Sequence, residues 1–324
     1  MKILVTGGAG YIGSHVCHVL CNKGYDVVVY DNLENGHEEN LPSNAKLIVG
    51  DLFNAKRLNE CFKENKFDGV IHFAGYIEAG ESMKNPIKFF KNNVTNGINL
   101  LNAMLKNNVK NIVYSSSAGV YGQPKEIPIK EDSEKKPVNY YGLTKLMFEQ
   151  VLNSCKVYGL NSISLRYFNA AGAGFNIGEN HNPETHLIPL VLKNALNNRE
   201  VKVFGDNYET KDGSCIRDYI HVLDLSDVHL IALENLFKGV TGEFNVGTGE
   251  GTSVFEIIKI CEEVSEKKIN KKIYERREGD PAELVADVSK IYNNLKWKAK
   301  YNIKDIIKSA WEWHRINLQV LENG

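Results

Sequence analysis

The feature that most constrains this chain is a glycine-rich turn near its N-terminus. The segment at residues 6–13 (TGGAGYIG) follows an apolar run at residues 2–6 and opens an amphipathic stretch that reaches residue 23. Glycine permits a tight strand-to-helix turn and lets backbone N–H groups approach an anion, and a helix N-terminus adds favourable partial charge. The spacing of Gly7, Gly10 and Gly13 in this context predicts a pyrophosphate site.

Short runs rich in Val and Ile alternate with helix-length segments through the first half of the chain. Strands are predicted at residues 2–6, 26–31, 47–50, 69–74, 111–115 and 162–166, and two of the helices between them are predicted from Pro86 to about Asn107 and at 140–158. Such apolar strands, separated by helices, indicate a parallel sheet that is covered on both faces. With right-handed crossovers, we predict an α/β fold with a Rossmann-type doubly wound sheet, whose ligand lies beyond the carboxyl ends of the strands.

The pattern loosens after about Phe168. Residues 170–186 are rich in Gly, Asn and Pro and are predicted to form a loop, with helices near 187–196, 224–237, 253–265 and 303–318. We therefore predict a dinucleotide-binding Rossmann domain at 1–168, completed by segments near 220–247. A smaller C-terminal α/β substrate domain is predicted at 169–324.

Bulk composition argues against several classes of protein. A net charge of −1 and a pI near 6.8 provide no general attraction to nucleic acid or to an acidic membrane. No apolar run has the length of a membrane span. The six cysteines form no Cys-x-x-Cys pair, so neither a redox motif nor a zinc knuckle is predicted. We expect a cytoplasmic protein with reduced thiols.

Carboxylates follow the second and third predicted strands. Asp31 is placed to accept hydrogen bonds from an adenosine ribose and would repel a 2′-phosphate, which favours NAD over NADP; the alternative is an aspartate that caps the loop. Asp51 fits two roles, an acceptor for the adenine amino group or an N-cap for the following helix. At the end of the fourth strand, Phe73-Ala74-Gly75 lets the backbone pass close to a cofactor.

A tyrosine and a lysine lie four residues apart on a predicted helix. Tyr141 and Lys145 therefore share one helix face, where an ammonium lowers the pKa of a phenol and enables it to act as a base. Ser115-Ser116-Ser117 follows the fifth strand and offers a hydroxyl at the same edge of the sheet. The pair alone is a weak signal, but it becomes strong beside the glycine turn and the serine.

These motifs resemble the extended short-chain dehydrogenase/reductase superfamily and, within it, the UDP-glucose 4-epimerase family. The resemblance covers nearly the whole chain. The segments that support it include VTGGAGYIGSH at 5–15, YDNL at 30–33, HFAG at 72–75, NNV at 92–94, SSSA at 115–118, RYFN at 166–169, RDYIHV at 217–222 and RREGD at 276–280.

The resemblance implies NAD-dependent interconversion of UDP-glucose and UDP-galactose through a 4-keto sugar that is re-reduced on its opposite face. Tyr141 would take the proton of the 4-hydroxyl group, and the C4 hydride would pass to the nicotinamide. Ser117 would hydrogen-bond the C4 oxygen, and Lys145 would bind the nicotinamide ribose. The family also implies a homodimer, with the helices from Pro86 and Tyr140 at its interface.

The resemblance assigns two groups of binding residues. The cofactor would contact Gly7, Gly10, Tyr11, Ile12, Gly13, Asp31, Asn32, Asp51, Leu52, Phe73, Ala74, Gly75, Asn92, Ser115, Tyr141, Lys145 and Phe168. The UDP-sugar would contact Ser117, Tyr141, Asn169, His186, Leu187, Val203, Phe204, Arg217, Arg277 and Asp280. Each arginine has the alternative of an ion pair with a neighbour such as Asp218 or Glu278. No metal site is predicted, because no partner His, Cys or Asp lies at ligand spacing from His186.

The sequence leaves several alternative functions open. Leu284 stands where some relatives have a tyrosine, so the sugar pocket could admit a 2-N-acetyl group; the alternative is that Leu284 simply packs. A UDP-glucuronate substrate would need a cation at the sugar C6. Ala118-Gly119 argues against a 4,6-dehydratase, which needs two carboxyl groups there. A non-catalytic NAD sensor is the remote alternative.

Overall fold

The computed structural model describes residues 1–277 and 279–322, with side chains through residue 317. The strands are β1 (Lys2–Thr6), β2 (Asp26–Asp31), β3 (Lys46–Val49), β4 (Gly69–His72), β5 (Asn111–Ser117), β6 (Asn161–Tyr167), β7 (Asn169–Ala171), β8 (Val201–Phe204), β9 (Ile216–His221), β10 (Gly242–Val246), β11 (Gly251–Ser253), β12 (Lys271–Tyr274) and β13 (Glu283–Leu284). The α-helices are α1 (Tyr11–Asn22), α2 (Ala55–Glu64), α3 (Ala79–Lys84), α4 (Pro86–Phe89), α5 (Asn96–Lys106), α6 (Tyr140–Ser154), α7 (Leu187–Leu196), α8 (Val222–Leu236), α9 (Val254–Ser265), α10 (Ser289–Leu295) and α11 (Ile303–Glu322).

Seven parallel strands form the central sheet in the order β10-β6-β5-β4-β1-β2-β3. Six of them follow the doubly wound order 3-2-1-4-5-6, and the carboxyl ends of all seven meet at one edge. Apolar clusters cover both faces of the sheet, one with side chains from α1 and α8 and one with side chains from α2, α5 and α6. The predicted Rossmann-type α/β fold is confirmed.

The second half of the chain builds a smaller layer. Strands β11, β9 and β13 form a sheet that β7 joins through β9, and β8 pairs with β12. Helices α7, α9 and α11 share a third apolar cluster. Meanwhile α8 and β10 return to the first layer, where β10 pairs with β6. The domain boundary at residue 168 stays a prediction, and these separate sheets support it.

The helix predicted from Pro86 to about Asn107 is not a regular α-helix throughout: its middle is π-helical. Residues Phe90–Thr95 form a π-helical segment between α4 and α5, and such insertions often accompany functional sites. Residues 155–158, predicted to continue the helix at 140–158, form a 3₁₀ turn. Across the described residues, no helix is both long and apolar enough to cross a membrane.

A buried ion pair joins α6 to the sheet. The guanidinium of Arg166 on β6 makes two hydrogen bonds to the Glu149 carboxylate, with Nε–Oε1 at 2.9 Å and Nη2–Oε2 at 2.7 Å. Both side chains are almost fully buried. Ser116 on β5 also donates to Glu149 Oε1, at 2.5 Å. This network therefore holds α6 against β5 and β6.

We predict that Glu149→Gln lowers the free energy of unfolding by about 3–5 kcal/mol, because it leaves the Arg166 charge buried without its counterion. Glu60→Gln is the matched control: Glu60 pairs with Arg57 at 3.8 Å and both side chains are 43% exposed, so its loss should cost less than about 1 kcal/mol. Urea unfolding measures both. Equal small losses would contradict a central role for the buried pair.

Candidate active site

The glycine turn joins β1 to α1 through an unusually close backbone approach. Gly7 has φ +70°, and a Cβ there would lie 2.5 Å from the backbone nitrogen of Ala74. A Cβ at Gly13 would overlap the carbonyl oxygen of Gly7. Gly10 is the N-cap residue of α1, and no side chain caps the helix there. The first N–H groups of α1 are therefore left for an anion.

Tyr11 and Ile12 occupy the first turn of α1. The Tyr11 hydroxyl donates to the carbonyl of Gly172 at 2.6 Å, and Ile12 packs against the apolar core. Their side chains thus have structural partners, so a contact with the cofactor would involve their backbone N–H groups.

Asp31 lies at the carboxyl end of β2 and is 8% exposed. Its Oδ2 accepts from Ala9 N at 3.0 Å, and its Oδ1 accepts from Leu33 N at 2.9 Å. The loop-capping role considered for Asp31 is therefore present. Each carboxylate oxygen retains a second lone pair, so these contacts are compatible with ribose binding.

Asp51 follows β3 and binds the turn rather than the helix. Its Oδ1 accepts from Phe53 N at 2.7 Å, and its Oδ2 accepts from Asn32 Nδ2 at 2.9 Å. Asn54 caps α2, so the N-cap alternative for Asp51 is wrong. Leu52 is buried beside it. The carboxylate itself remains at the surface, next to the predicted adenine position.

Tyr141 and Lys145 on α6 face the end of β5. Lys145 Nζ donates to the carbonyl of Ser115 at 2.7 Å and lies 5.7 Å from the centroid of the Tyr141 ring. A Cβ on Gly75 would lie 3.9 Å from the same ammonium. Ser117 lies close to the phenol: a Cβ on Gly119 would be 3.3 Å from Ser117 Oγ and 3.9 Å from Cε1 of the Tyr141 ring. The structure therefore brings the predicted catalytic residues together beside the end of β4.

Burial governs the acid–base properties of this group. It raises the pKa of Tyr141, while the nearby Ser117 hydroxyl acts in the opposite direction. Burial also lowers the pKa of Lys145 to about 8, although the nearby Glu149 carboxylate opposes this shift. The expected net lowering of the Tyr141 pKa is not seen, because desolvation of the phenol outweighs the contribution that lowers it.

Asn93 supports the predicted site from beside it and was not among the predicted residues. It is buried in the π-helical segment, accepts from Tyr76 N at 2.8 Å and donates to Thr144 Oγ1 at 3.0 Å. Thr144 in turn donates to the Tyr141 carbonyl. Asn93 thus connects the segment after β4 to the turn of α6 that carries Tyr141. Asn92, the predicted cofactor contact, is its half-buried neighbour. The adjacent asparagines at 92 and 93 are the sequence feature from which a role for Asn93 could have been predicted.

Arg217 and Asp280, both predicted to bind the nucleotide, contact each other. Arg217 Nη2 lies 3.0 Å from Asp280 Oδ1, with the arginine side chain 12% exposed. The alternative pairing with Asp218 is absent, since the buried Asp218 carboxylate accepts backbone N–H groups instead. Glu278, the other alternative partner, lies outside the described residues.

The remaining predicted substrate residues lie on neighbouring strands. Phe168 is buried between β6 and β7, and Asn169 begins β7 on the exposed side. The guanidinium of Arg277 lies 4.1 Å from the centroid of the Phe204 ring, a cation–π contact that orients it. Val203 is buried in the third apolar cluster, so its side chain is structural and only its backbone can meet a ligand.

His186 is the N-cap residue of α7, directly before Leu187. Its Nδ1 lies 2.7 Å from Glu179 Oε1 and 3.5 Å from Glu184 Oε1. Burial is outweighed by these carboxylates, which raise its pKa to about 10. The premise that His186 has no partner at ligand distance is wrong: Glu179, His181 and Glu184 surround it.

Comparison with known proteins agrees with this geometry. The NAD dependent epimerase/dehydratase family matches residues 3–247. The chain belongs to this family. A UDP-glucose 4-epimerase of Halalkalibacterium halodurans is 49% identical over 321 residues, which cover 97% of this chain and 96% of that protein. One from Rhizobium meliloti is 48% identical and covers 97% of each.

A solved structure extends the likeness to three dimensions. The UDP-glucose 4-epimerase of Brucella ovis, determined in complex with NAD, matches with a TM-score of 0.93 and 40% identity. The match covers 96% of this chain and 97% of that one. The predicted resemblance to UDP-glucose 4-epimerases is therefore confirmed for this member of the NAD-dependent family.

Proposed function

We propose that this protein interconverts UDP-glucose and UDP-galactose by NAD-dependent epimerisation at C4. The observation that carries the proposal is the convergence of Tyr141, Lys145 and Ser117 beside the glycine turn, at the carboxyl edge of the sheet. A buried phenol next to a serine hydroxyl is suited to exchange a proton with a sugar hydroxyl.

The residues at this edge fit NAD. Gly7 and Gly13 carry no Cβ, and there is no room for one at either position. The backbone there can therefore approach a pyrophosphate closely. The uncapped start of α1 supplies N–H groups, and Asp31 lies where the adenosine ribose would bind. With membership of an NAD-dependent family, these contacts identify NAD as the cofactor.

In the proposed reaction, residues of the protein accept and return the proton of the sugar 4-hydroxyl group. Tyr141 accepts the proton of the sugar 4-hydroxyl group as C4 is oxidised, and returns it when the ketone is reduced. Ser117 donates a hydrogen bond to the C4 oxygen and holds it next to the phenol. Lys145, fixed by the Ser115 carbonyl, faces the ribose position. When bound, NAD⁺ supplies the hydride acceptor and a positive charge that favours the phenolate.

Inversion requires the sugar to present both faces while its nucleotide stays bound. Arg217 and Arg277 are placed to pair with pyrophosphate oxygens, and Asp280 with ribose hydroxyls. Asn169 and the backbone at Leu187 complete the proposed nucleotide contacts. Because these groups hold the UDP alone, the 4-keto hexose can turn over and accept the hydride on its other face.

We predict that the purified protein converts UDP-galactose to UDP-glucose without added NAD, and that Tyr141→Phe lowers kcat at least about 100-fold. The variant keeps the ring and removes only the proton-exchanging hydroxyl. Coupled detection of UDP-glucose measures the rate, and NAD released on denaturation shows that the variant remains loaded.

Other outcomes of that assay would change the proposal. Activity only on UDP-glucuronate would keep the mechanism and change the substrate. Absence of turnover on UDP-glucuronate and on N-acetylated sugars as well, even with added NAD, would contradict the enzyme proposal and favour a non-catalytic NAD sensor.

The position of Leu284 favours a second substrate class, the 2-N-acetylated UDP-sugars. Leu284 on β13 pairs in register with Arg217 and packs against the cluster that contains Ala118 and Phe168. It thus lies between the proposed nucleotide site and the Ser117 turn. A leucine here occupies less of the pocket than a tyrosine would.

We predict that Leu284→Tyr lowers kcat/KM for UDP-N-acetylgalactosamine more than about tenfold, while UDP-galactose turnover is largely unchanged. Leu284→Met, which preserves volume, is the control for lost packing. Negligible wild-type turnover of the acetylated sugar would contradict this assignment.

We also propose a homodimer formed through the face of α5 and α6. Ile98 on α5 is 38% exposed, and beyond the C-terminal end of α6 Val157 is 78% and Tyr158 61% exposed. Met147 and Val151 line a shallow depression beside them. Exposed apolar groups gathered at the C-terminal end of α6 are typical of an association surface.

We predict that Val157→Asp shifts the protein from dimer to monomer in light scattering coupled to size exclusion, because a carboxylate would be buried at the interface. Ile316→Asp, at an exposed apolar residue on α11, should leave the dimer intact. A monomeric wild type would contradict the proposal.

We propose a cytoplasmic location. All six cysteines are free, which accords with a reducing compartment. Immunofluorescence or fractionation of the host cell tests this.

A further inference from the structure

Four potential metal ligands lie together in the loop between β7 and α7. Glu179, His181, Glu184 and His186 each offer one nitrogen or oxygen atom, and these four atoms all lie within 4.8 Å of one another. His181 Nδ1 lies 3.4 Å from Glu179 Oε1, and His186 Nδ1 lies 2.7 Å from the same oxygen. None of these contacts is needed by the proposed reaction.

The cluster contains buried polar atoms without hydrogen-bond partners. The Glu179 side chain is only 5% exposed, and among the described residues its Oε2 has no partner. The same holds for Glu184 Oε2, and His181 Nδ1 makes no hydrogen bond although it lies 3.4 Å from Glu179 Oε1. An unpaired buried polar atom costs about 1–3 kcal/mol, so three in a single loop call for a physical explanation.

We propose that Glu179, His181, Glu184 and His186 bind a divalent metal ion, Zn²⁺ by the chemistry of its ligands. Two imidazoles and two carboxylates form a four-ligand set that suits tetrahedral zinc, with bonds of about 2.0–2.2 Å. An ion at the centre would also satisfy the unpaired carboxylate and imidazole atoms. This site goes beyond the proposed epimerase function.

The surroundings indicate a structural role for the ion. Four protein ligands close the coordination shell, which leaves no position for a reacting group. The His181 ring lies edge-on to Tyr11, with centroids 6.4 Å apart, and Tyr11 begins α1 immediately after the glycine turn. His186 begins α7. The metal would therefore fix the loop between the dinucleotide turn and α7.

Metal binding would also restrict the predicted role of His186 in substrate recognition. Its Nδ1 would be occupied by the ion, so a nucleotide could meet only Nε2 or the backbone. The alternative without metal is a protonated His186 held between the Glu179 and Glu184 carboxylates. The two arrangements differ in metal content and are distinguished by measuring it.

The first measurement is metal content of the purified full-length protein by mass spectrometry after exhaustive dialysis. We expect about one zinc ion per chain, and loss of zinc in both Glu179→Gln and His181→Asn. The matched controls are Glu39→Gln and His37→Asn, which alter an exposed His–Glu pair at 3.5 Å and should keep the zinc. Circular dichroism and bound NAD content verify that every variant is folded.

A second measurement needs no variant. Removing the metal from the wild type with dipicolinate should lower Tm, and added Zn²⁺ should restore it. Co²⁺ in place of Zn²⁺ should produce the visible absorption of a tetrahedral site. Loss of a ligand should weaken Zn²⁺ binding more than about 100-fold, which is more than loss of a residue that only hydrogen-bonds a ligand usually costs.

A wild type with no more zinc than His181→Asn, and with no change in Tm on adding Zn²⁺, would overturn the metal site in favour of a protonated His186. Neither measurement depends on turnover, so a failed epimerase assay would not affect the conclusion about the metal site.

Discussion

The buried pair between Glu149 and Arg166 holds together the parts of the candidate active site. Arg166 belongs to β6 and Glu149 to α6, and Ser116 of β5 adds a third bond to the same carboxylate. Tyr141 and Lys145 lie on this helix, about two turns and one turn before Glu149 respectively, so the ion pair fixes their distance from the serine strand. Charge buried in a low-dielectric core requires such a partner, which makes the register of α6 specific as well as stable.

The glycine turn between β1 and α1 is positioned by a steric constraint rather than by charge. The chain after β1 passes so close to the end of β4 that Gly7 meets the Ala74 backbone, and Gly13 meets Gly7. No side chain larger than hydrogen fits at either point. The absence of side chains would allow α1 to present its N-terminus directly to a pyrophosphate, while Asp31 ties the turn to the end of β2 through Ala9 N.

Strands were predictable where they carry a continuous apolar run and were missed where charged or polar residues interrupt it. The six strands of the first half were recognisable because a parallel sheet under helices needs continuous apolar runs. Strand β12 (Lys271–Tyr274) is lysine-rich and exposed, and β9 (Ile216–His221) mixes charged and apolar residues, so neither has a strand-like pattern. The cluster around His186 was missed because its partners are separated by irregular backbone, and their convergence depends on the loop's tertiary fold. Asn93 was missed because its partners lie in elements far along the chain.

The acid–base shifts at the site follow from burial and explain why the phenol and the ammonium need further partners. Desolvation disfavours charge, so it raises the pKa of Tyr141 and lowers that of Lys145, and the phenol of the protein alone stays protonated at neutral pH. Lys145 retains its charge below about pH 8 because Glu149 lies one turn away and opposes the shift. Proximity of an ammonium is thus insufficient to make a buried tyrosine a base. We therefore expect the phenolate to become accessible only when a second positive charge enters the same low-dielectric space, which would couple proton uptake by Tyr141 to occupancy of the dinucleotide site.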